Sequence, residues 1–340
     1  MKQAVMTAPG KIEFRDVPAP ELAPNQVLVR MKKIGVCGSD IHVFHGKHPY
    51  TSYPVVQGHE VSGVVEKAGP GVKGFSPGDA VTFQPQVTCG TCYPCTHGQY
   101  HICDQLKVMG FQTTGAASEL FAVDADKVLH LPPGLSLEHG AMMEPLAVAV
   151  HALQRGGGAA GKKVLVLGAG PIGNLVAQAA QGMGAAGVLL TDVSDYRLEL
   201  AAKCGVPMGV NTAKADLAAE VKKRFGDGKA DLILECVGFQ KTIEQAVAVA
   251  RKGTDIIVVG VFGDKPTVDM GVVQDRELRL IGTLMYQAPD WHAAIELVKA
   301  KKVNLEPLIT DRYPFDRYLD AYKHIDANRE RSMKVMISVD

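Results

Sequence analysis

The segment Gly168-Ala169-Gly170-Pro171-Ile172-Gly173 constrains this chain more than any other. It follows the strand-like run Lys163–Leu167 and opens a helix-compatible stretch from Pro171 to Met183. Strand, glycine turn and helix in that order are the context that gives GxGxxG meaning. The first glycine permits the tight turn, the second lets the backbone approach a pyrophosphate, and the third lets helix and strand pack closely. The helix N-terminus then faces the phosphates. Further strand-like runs at Gly187–Thr191, Asp231–Cys236 and Thr254–Gly260 alternate with helical stretches, which predicts a parallel, doubly wound sheet. Asp192 follows the second strand, near the offset of ~20 residues expected for a ribose carboxylate. A carboxylate there accepts bonds from a free 2′-hydroxyl and repels a 2′-phosphate, so the expected cofactor is NAD rather than NADP. Arg197 pulls the other way, because an arginine beside that ribose can bind phosphate. The bland alternatives are a helix cap for Asp192 and a solvated helix residue for Arg197.

The chain before this segment has another texture. Val27–Met31, Val61–Val65 and Ala80–Phe83 are short strand candidates separated by turns such as Pro70-Gly71 and Pro77-Gly78. That pattern predicts a small, irregular β-barrel. A helix is expected at Trp291–Ala300 and a final strand at Lys334–Ser338. With 340 residues the chain has room for two domains. Its 36 basic and 36 acidic residues cancel, which leaves no electrostatic handle for nucleic acid or an anionic membrane. No run approaches the ~20 apolar residues of a spanning helix. The N-terminus lacks the apolar core of a signal peptide, so a cytoplasmic protein is expected.

Four of the seven cysteines, Cys89, Cys92, Cys95 and Cys103, fall within one short loop. Two-residue spacings let neighbouring thiolates converge on one tetrahedral ion, and a closed four-sulfur shell suits a structural zinc. An iron–sulfur cluster and a disulfide set are the rivals. His97 and His101 lie in the same loop, but four sulfurs already complete the shell. Cys37, His59, Glu60 and Glu144 form a second, scattered set. A thiolate, an imidazole and a carboxylate make the three-ligand shell of a catalytic zinc with an open position. Spacing alone does not establish it: taken alone, Cys37 is more often a buried hydrophobe and His59-Glu60 a loop pair.

Together these residues resemble a known family. Gly58-His59-Glu60-Val61-Ser62-Gly63-Val64-Val65, Cys37-Gly38-Ser39-Asp40-Ile41-His42, the four-cysteine lobe and Gly168–Gly173 are similar, in order, to the zinc-containing medium-chain dehydrogenases/reductases. Met143-Glu144-Pro145-Leu146-Ala147-Val148 resembles the polyol branch, which includes sorbitol and butanediol dehydrogenases. The resemblance implies an α/β protein with a GroES-like catalytic domain over residues 1–150 and an inserted Rossmann domain over 151–287. Residues 288–340 would return to the first domain. It implies one catalytic and one structural zinc, NAD, and oxidation of a secondary alcohol of a polyol, cyclitol or diol. Cys37, His59, Glu60 and Glu144 would serve the catalytic zinc, with either glutamate as the inner ligand. Ser39 would accept the hydroxyl proton and His42 would pass it on. Asp40 would play a structural part, taking backbone or imidazole hydrogen bonds. Phe44, Tyr50 and Phe111 would wall the pocket, and Tyr286 would either touch substrate or pack. Met285 stands where sorbitol-type enzymes tend to carry arginine, which weakens sorbitol itself as the substrate. The resemblance also implies a homodimer or homotetramer. An L-threonine 3-dehydrogenase-like enzyme is the near alternative, and a non-enzymatic relative is the distant one.

Overall fold

The computed structural model describes residues 1–339. Two compact units emerge: Met1–Glu144 with the chain from Ile309 onward, and Pro145–Leu308.

In the first unit, strand Gln26–Val36 organises a seven-stranded sheet. Val27, Val29 and Met31 point inward with the two-residue period of a half-buried strand. A register shift between Met31 and Lys33 then breaks the alternation, and Ile34, Gly35 and Val36 are all buried. The strand is hydrogen-bonded to Glu60–Ala68, Leu120–Asp124 and the last strand, Lys334–Ser338, all antiparallel. Register places Val36 opposite Val335 and Gly35 opposite Glu60. The chain's last strand and the Gly58-His59-Glu60 motif are thereby brought to the two sides of Gly35-Val36.

The second unit is a six-stranded, all-parallel sheet. Its spatial order is Gly209–Asn211, Gly187–Asp192, Lys163–Leu167, Leu232–Glu235, Asp255–Val258, Arg279–Gly282. In chain order that is third, second, first, fourth, fifth, sixth, so the winding reverses between Lys163–Leu167 and Leu232–Glu235, where such sheets bind ligands. Val164–Leu167 and Leu232–Glu235 are buried throughout, as strands covered on both faces must be. The unit continues to Leu308, beyond the break expected after residue 287. The physical reason is helix Ala288–Lys299, which buries Trp291, Ala294 and Leu297. After it, the Asn304 amide donates to Gln178 Oε1 at 2.6 Å, on helix Pro171–Gly182.

Candidate active site

Cys37, His59 and Glu60 each offer a donor atom within 4.8 Å of the others. Cys37 precedes helix Gly38–Phe44, while His59 and Glu60 lead into the adjacent strand. Gly35 makes room for the carboxylate: a Cβ there would stand 2.5 Å from Glu60 Oε2. Thiolate, imidazole and carboxylate converging in a buried spot are a donor set that fits zinc. Glu144 is buried in the same unit but does not belong to this three-residue group.

The surroundings fix these groups. Asp40, 1 % exposed, accepts the Cys37 backbone N–H on Oδ2 at 2.9 Å. Its Oδ1 faces His59 Nδ1 at 3.5 Å, an ion-pair distance longer than a hydrogen bond. Burial opposes charge on His59, but the Asp40 carboxylate and then Cys37 outweigh it and lift its pKa well above the ordinary value. Lys334 points its ammonium at both Glu60 oxygens, 2.7 Å from Oε1, and at the Val36 carbonyl at 3.3 Å. Burial works against this ammonium too; Glu60, Cys37 and Glu144 overcome it and raise its pKa. Ser39 and His42 lie on helix Gly38–Phe44 three residues apart, hence on neighbouring positions of one face. Ser39 is half-buried and His42 exposed.

The cysteine loop is compact and its thiols are free. All four sulfurs fall in one group within 4.8 Å. Cys92–Cys103 and Cys103–Cys89 sulfur separations are 3.7 and 3.5 Å. A tetrahedron with ~2.3 Å metal–sulfur bonds has edges of about 3.8 Å, so the quartet fits zinc. Backbone N–H groups of Cys92 and Thr91 point at Cys89 Sγ. Donation from Thr91 and Cys92 brings the Cys89 thiol down to about 6, which favours a thiolate.

In the second unit Gly168 has φ +98°, and a Cβ on Gly173 would overlap the Gly168 carbonyl oxygen. A Cβ on Gly170 would meet nothing within 4 Å, which leaves the approach to the helix N-terminus open. Asp192 is buried at the strand end, with Oδ2 accepting the Ala169 N–H at 2.7 Å and Oδ1 the Ser194 N–H at 2.9 Å. Arg197 lies 3.8 Å from Asp192.

Comparison with known proteins agrees with this division. The alcohol dehydrogenase GroES-like domain matches residues 23–133, and the zinc-binding dehydrogenase domain matches 171–300. The chain is 37 % identical to 2-dehydro-3-deoxy-L-galactonate 5-dehydrogenase of Pseudoalteromonas atlantica, over 96 % of each protein. The chain belongs to the zinc-dependent alcohol dehydrogenase family. This dehydrogenase is also 34 % identical to human sorbitol dehydrogenase, over 99 % of the chain and 95 % of that enzyme. A zinc-binding dehydrogenase from Sinorhizobium meliloti 1021, solved bound to NADP, superimposes with TM-score 0.90 at 30 % identity, covering 99 % of both chains.

Three site neighbours of this dehydrogenase escaped the sequence reading: Lys334, Gln57 and Tyr322. Lys334 carried a signal, as the one charged residue in the otherwise apolar stretch Met333–Ile337. Gln57 and Tyr322 carried none. Among the expected pocket walls, Phe111 packs on the His59 ring at 5.0 Å and also lines a cavity of about 590 Å³ with Tyr50, Arg15 and Gln112. Phe44 is buried against Tyr322. Tyr286 is fully buried edge-on to Trp291, a packing position. Among the described residues no helix is long and apolar enough to cross a membrane.

Proposed function

We propose that this dehydrogenase oxidises a secondary alcohol of a polyol, sugar acid, cyclitol or diol to the ketone, reversibly, with NAD as hydride acceptor. The observation that carries the reading is the buried carboxylate of Glu60 grouped with Cys37 and His59. That set would hold the catalytic zinc, with Glu144 as the second carboxylate of the site, and Cys89, Cys92, Cys95 and Cys103 would hold a structural zinc. When bound, zinc acidifies a substrate hydroxyl and NAD takes up hydride. The chain's own residues do the rest. Ser39, half-buried at the start of its helix, accepts the hydroxyl proton, and His42 on the same face delivers it toward water. Lys334 holds Glu60 in place through their buried ion pair. Gly168–Gly173 receive the pyrophosphate on the helix N-terminus.

Asp192 supports NAD over NADP, because its carboxylate is fixed by two backbone N–H groups and Arg197 already faces it. The Sinorhizobium relative with NADP makes this preference worth measuring directly. Exposed Leu280, on the sheet-edge strand Arg279–Gly282, and exposed Leu284, two residues beyond it, support a homodimer or homotetramer. The free thiols support a cytoplasmic setting. The test is metal analysis with a spectrophotometric NADH screen over polyols, sugar acids, inositols, diols and L-threonine. Two zincs per chain and turnover of a polyol-type alcohol are expected. Turnover of L-threonine above all others, or of nothing, overturns the reading.

A further inference from the structure

Asp40 is a buried anion that touches two of the three grouped residues, so whatever fixes Asp40 fixes them. The Gln57 amide, 2 % exposed, donates from Nε2 to Asp40 Oδ1 at 3.0 Å, the same oxygen that faces His59. Its Oε1 accepts the Tyr322 hydroxyl at 2.9 Å. Tyr322 is fully buried on helix Tyr318–Ala327, stacked on Tyr318 and tilted against Phe44. Burial pushes the Tyr322 phenol well above the ordinary tyrosine range, so it stays a donor at every working pH. The donor order is therefore fixed: Tyr322 O–H to Gln57 carbonyl, Gln57 N–H to Asp40 carboxylate. A carboxamide with its oxygen satisfied cannot flip and present oxygen to Asp40, which would place two acceptors face to face.

We propose that Gln57 and Tyr322 are positioning residues for the catalytic metal: they hold Asp40, and through it Cys37 and His59, in the ligating arrangement. The inference rests on the zinc site of the proposed function. Outer partners of metal ligands commonly control affinity by about 10–100-fold.

The test is zinc release from the loaded protein into a chromogenic chelator. A Cys37→Ala variant identifies which kinetic phase belongs to this site, and the four-cysteine phase serves as internal control. Tyr322→Phe keeps the ring packing and deletes only the donor; Gln57→Met keeps the volume and deletes the whole bridge. Release from the catalytic site is expected to quicken by roughly 10-fold or more in Gln57→Met and by less in Tyr322→Phe. The four-cysteine phase and the melting temperature of Tyr322→Phe stay near the parent's. Adding Tyr322→Phe to Gln57→Met should change nothing further, because the bridge is already gone. Unchanged catalytic-site release in Gln57→Met, or equal acceleration of both phases, overturns the positioning role while leaving the zinc site standing. A parent protein with one zinc per chain overturns the site itself, and this inference with it.

Discussion

Lys334→Met in the metal-free protein isolates the strongest electrostatic feature of the site. Methionine keeps most of the lysine stem's volume, so the main change is loss of the ammonium that meets both oxygens of Glu60. The two side chains are 4 % and 1 % exposed, so water does not replace the partner. Removing one member of a buried pair commonly costs about 3–5 kcal/mol. Proton uptake by the stranded carboxyl sets a ceiling. At ~1.4 kcal/mol per pH unit above the ordinary glutamic acid value of ~4.3, the ceiling is about 3–4 kcal/mol at pH 7 and about 1 kcal/mol at pH 5. The penalty should therefore shrink on acidification, and Glu60→Gln added to Lys334→Met should recover most of it at pH 7. Hydrogen exchange at Val335–Ile337, with far-UV circular dichroism during urea unfolding, measures the penalty. A Lys334→Met penalty under ~1 kcal/mol at pH 7, or one that does not depend on pH, would refute the reasoning.

Ser39→Ala should lower kcat by about 100-fold or more, the usual worth of a positioned proton acceptor, with KM little changed; parental kcat across the pH range would remove Ser39 from the proton path. Asp192→Ala should shift the ratio of kcat/KM for NAD over NADP toward NADP by roughly 10–100-fold, or ~1.4–2.8 kcal/mol, and an unchanged ratio would detach Asp192 from the ribose. Because the folded pKa of His59 lies well above the ordinary histidine value, charged His59 stabilises the metal-free protein fully below about pH 6.5. That stabilisation is lost as pH rises through the folded value, so metal-free His59→Gln should show a shallower fall in stability over that window. The comparison is made by denaturant titration at several pH values, and identical slopes would rule the assignment out.

What was legible in the sequence follows from how local each constraint is. The positive φ of Gly168 and the close approach of Gly173 to the Gly168 carbonyl are set within six residues of chain, and Lys163–Leu167 is a strand covered on both faces; both read directly. The cysteine quartet closes within one loop and needs no knowledge of the rest. The set Cys37, His59 and Glu60 is different. It is assembled by the pairing of Gly35 with Glu60, a register that no hydrophobic period encodes, so its geometry followed from family resemblance rather than from pattern. Tyr286 stayed undecided because one aromatic in a mixed segment reads alike whether it packs or lines a pocket; its burial against Trp291 is a tertiary fact.

Lys334 shows where sequence reading stops for a physical reason. It stands 274 residues from Glu60, yet the two meet because the last strand lies beside Gln26–Val36, with Val335 opposite Val36 and Gly35 opposite Glu60. Across three adjacent strands the sheet sets a cation, a side-chain gap and a carboxylate in sequence. Each is ordinary in its own strand, and only the register gives them a joint meaning. The same holds for Gln57 and Tyr322, which are 265 residues apart. Both long-range contacts belong to the first unit and both come from the chain after Ile309, so the C-terminal return supplies the site's cation and one of its buried donors. This return therefore does more than pack: Lys334 meets Glu60 and Tyr322 meets Gln57.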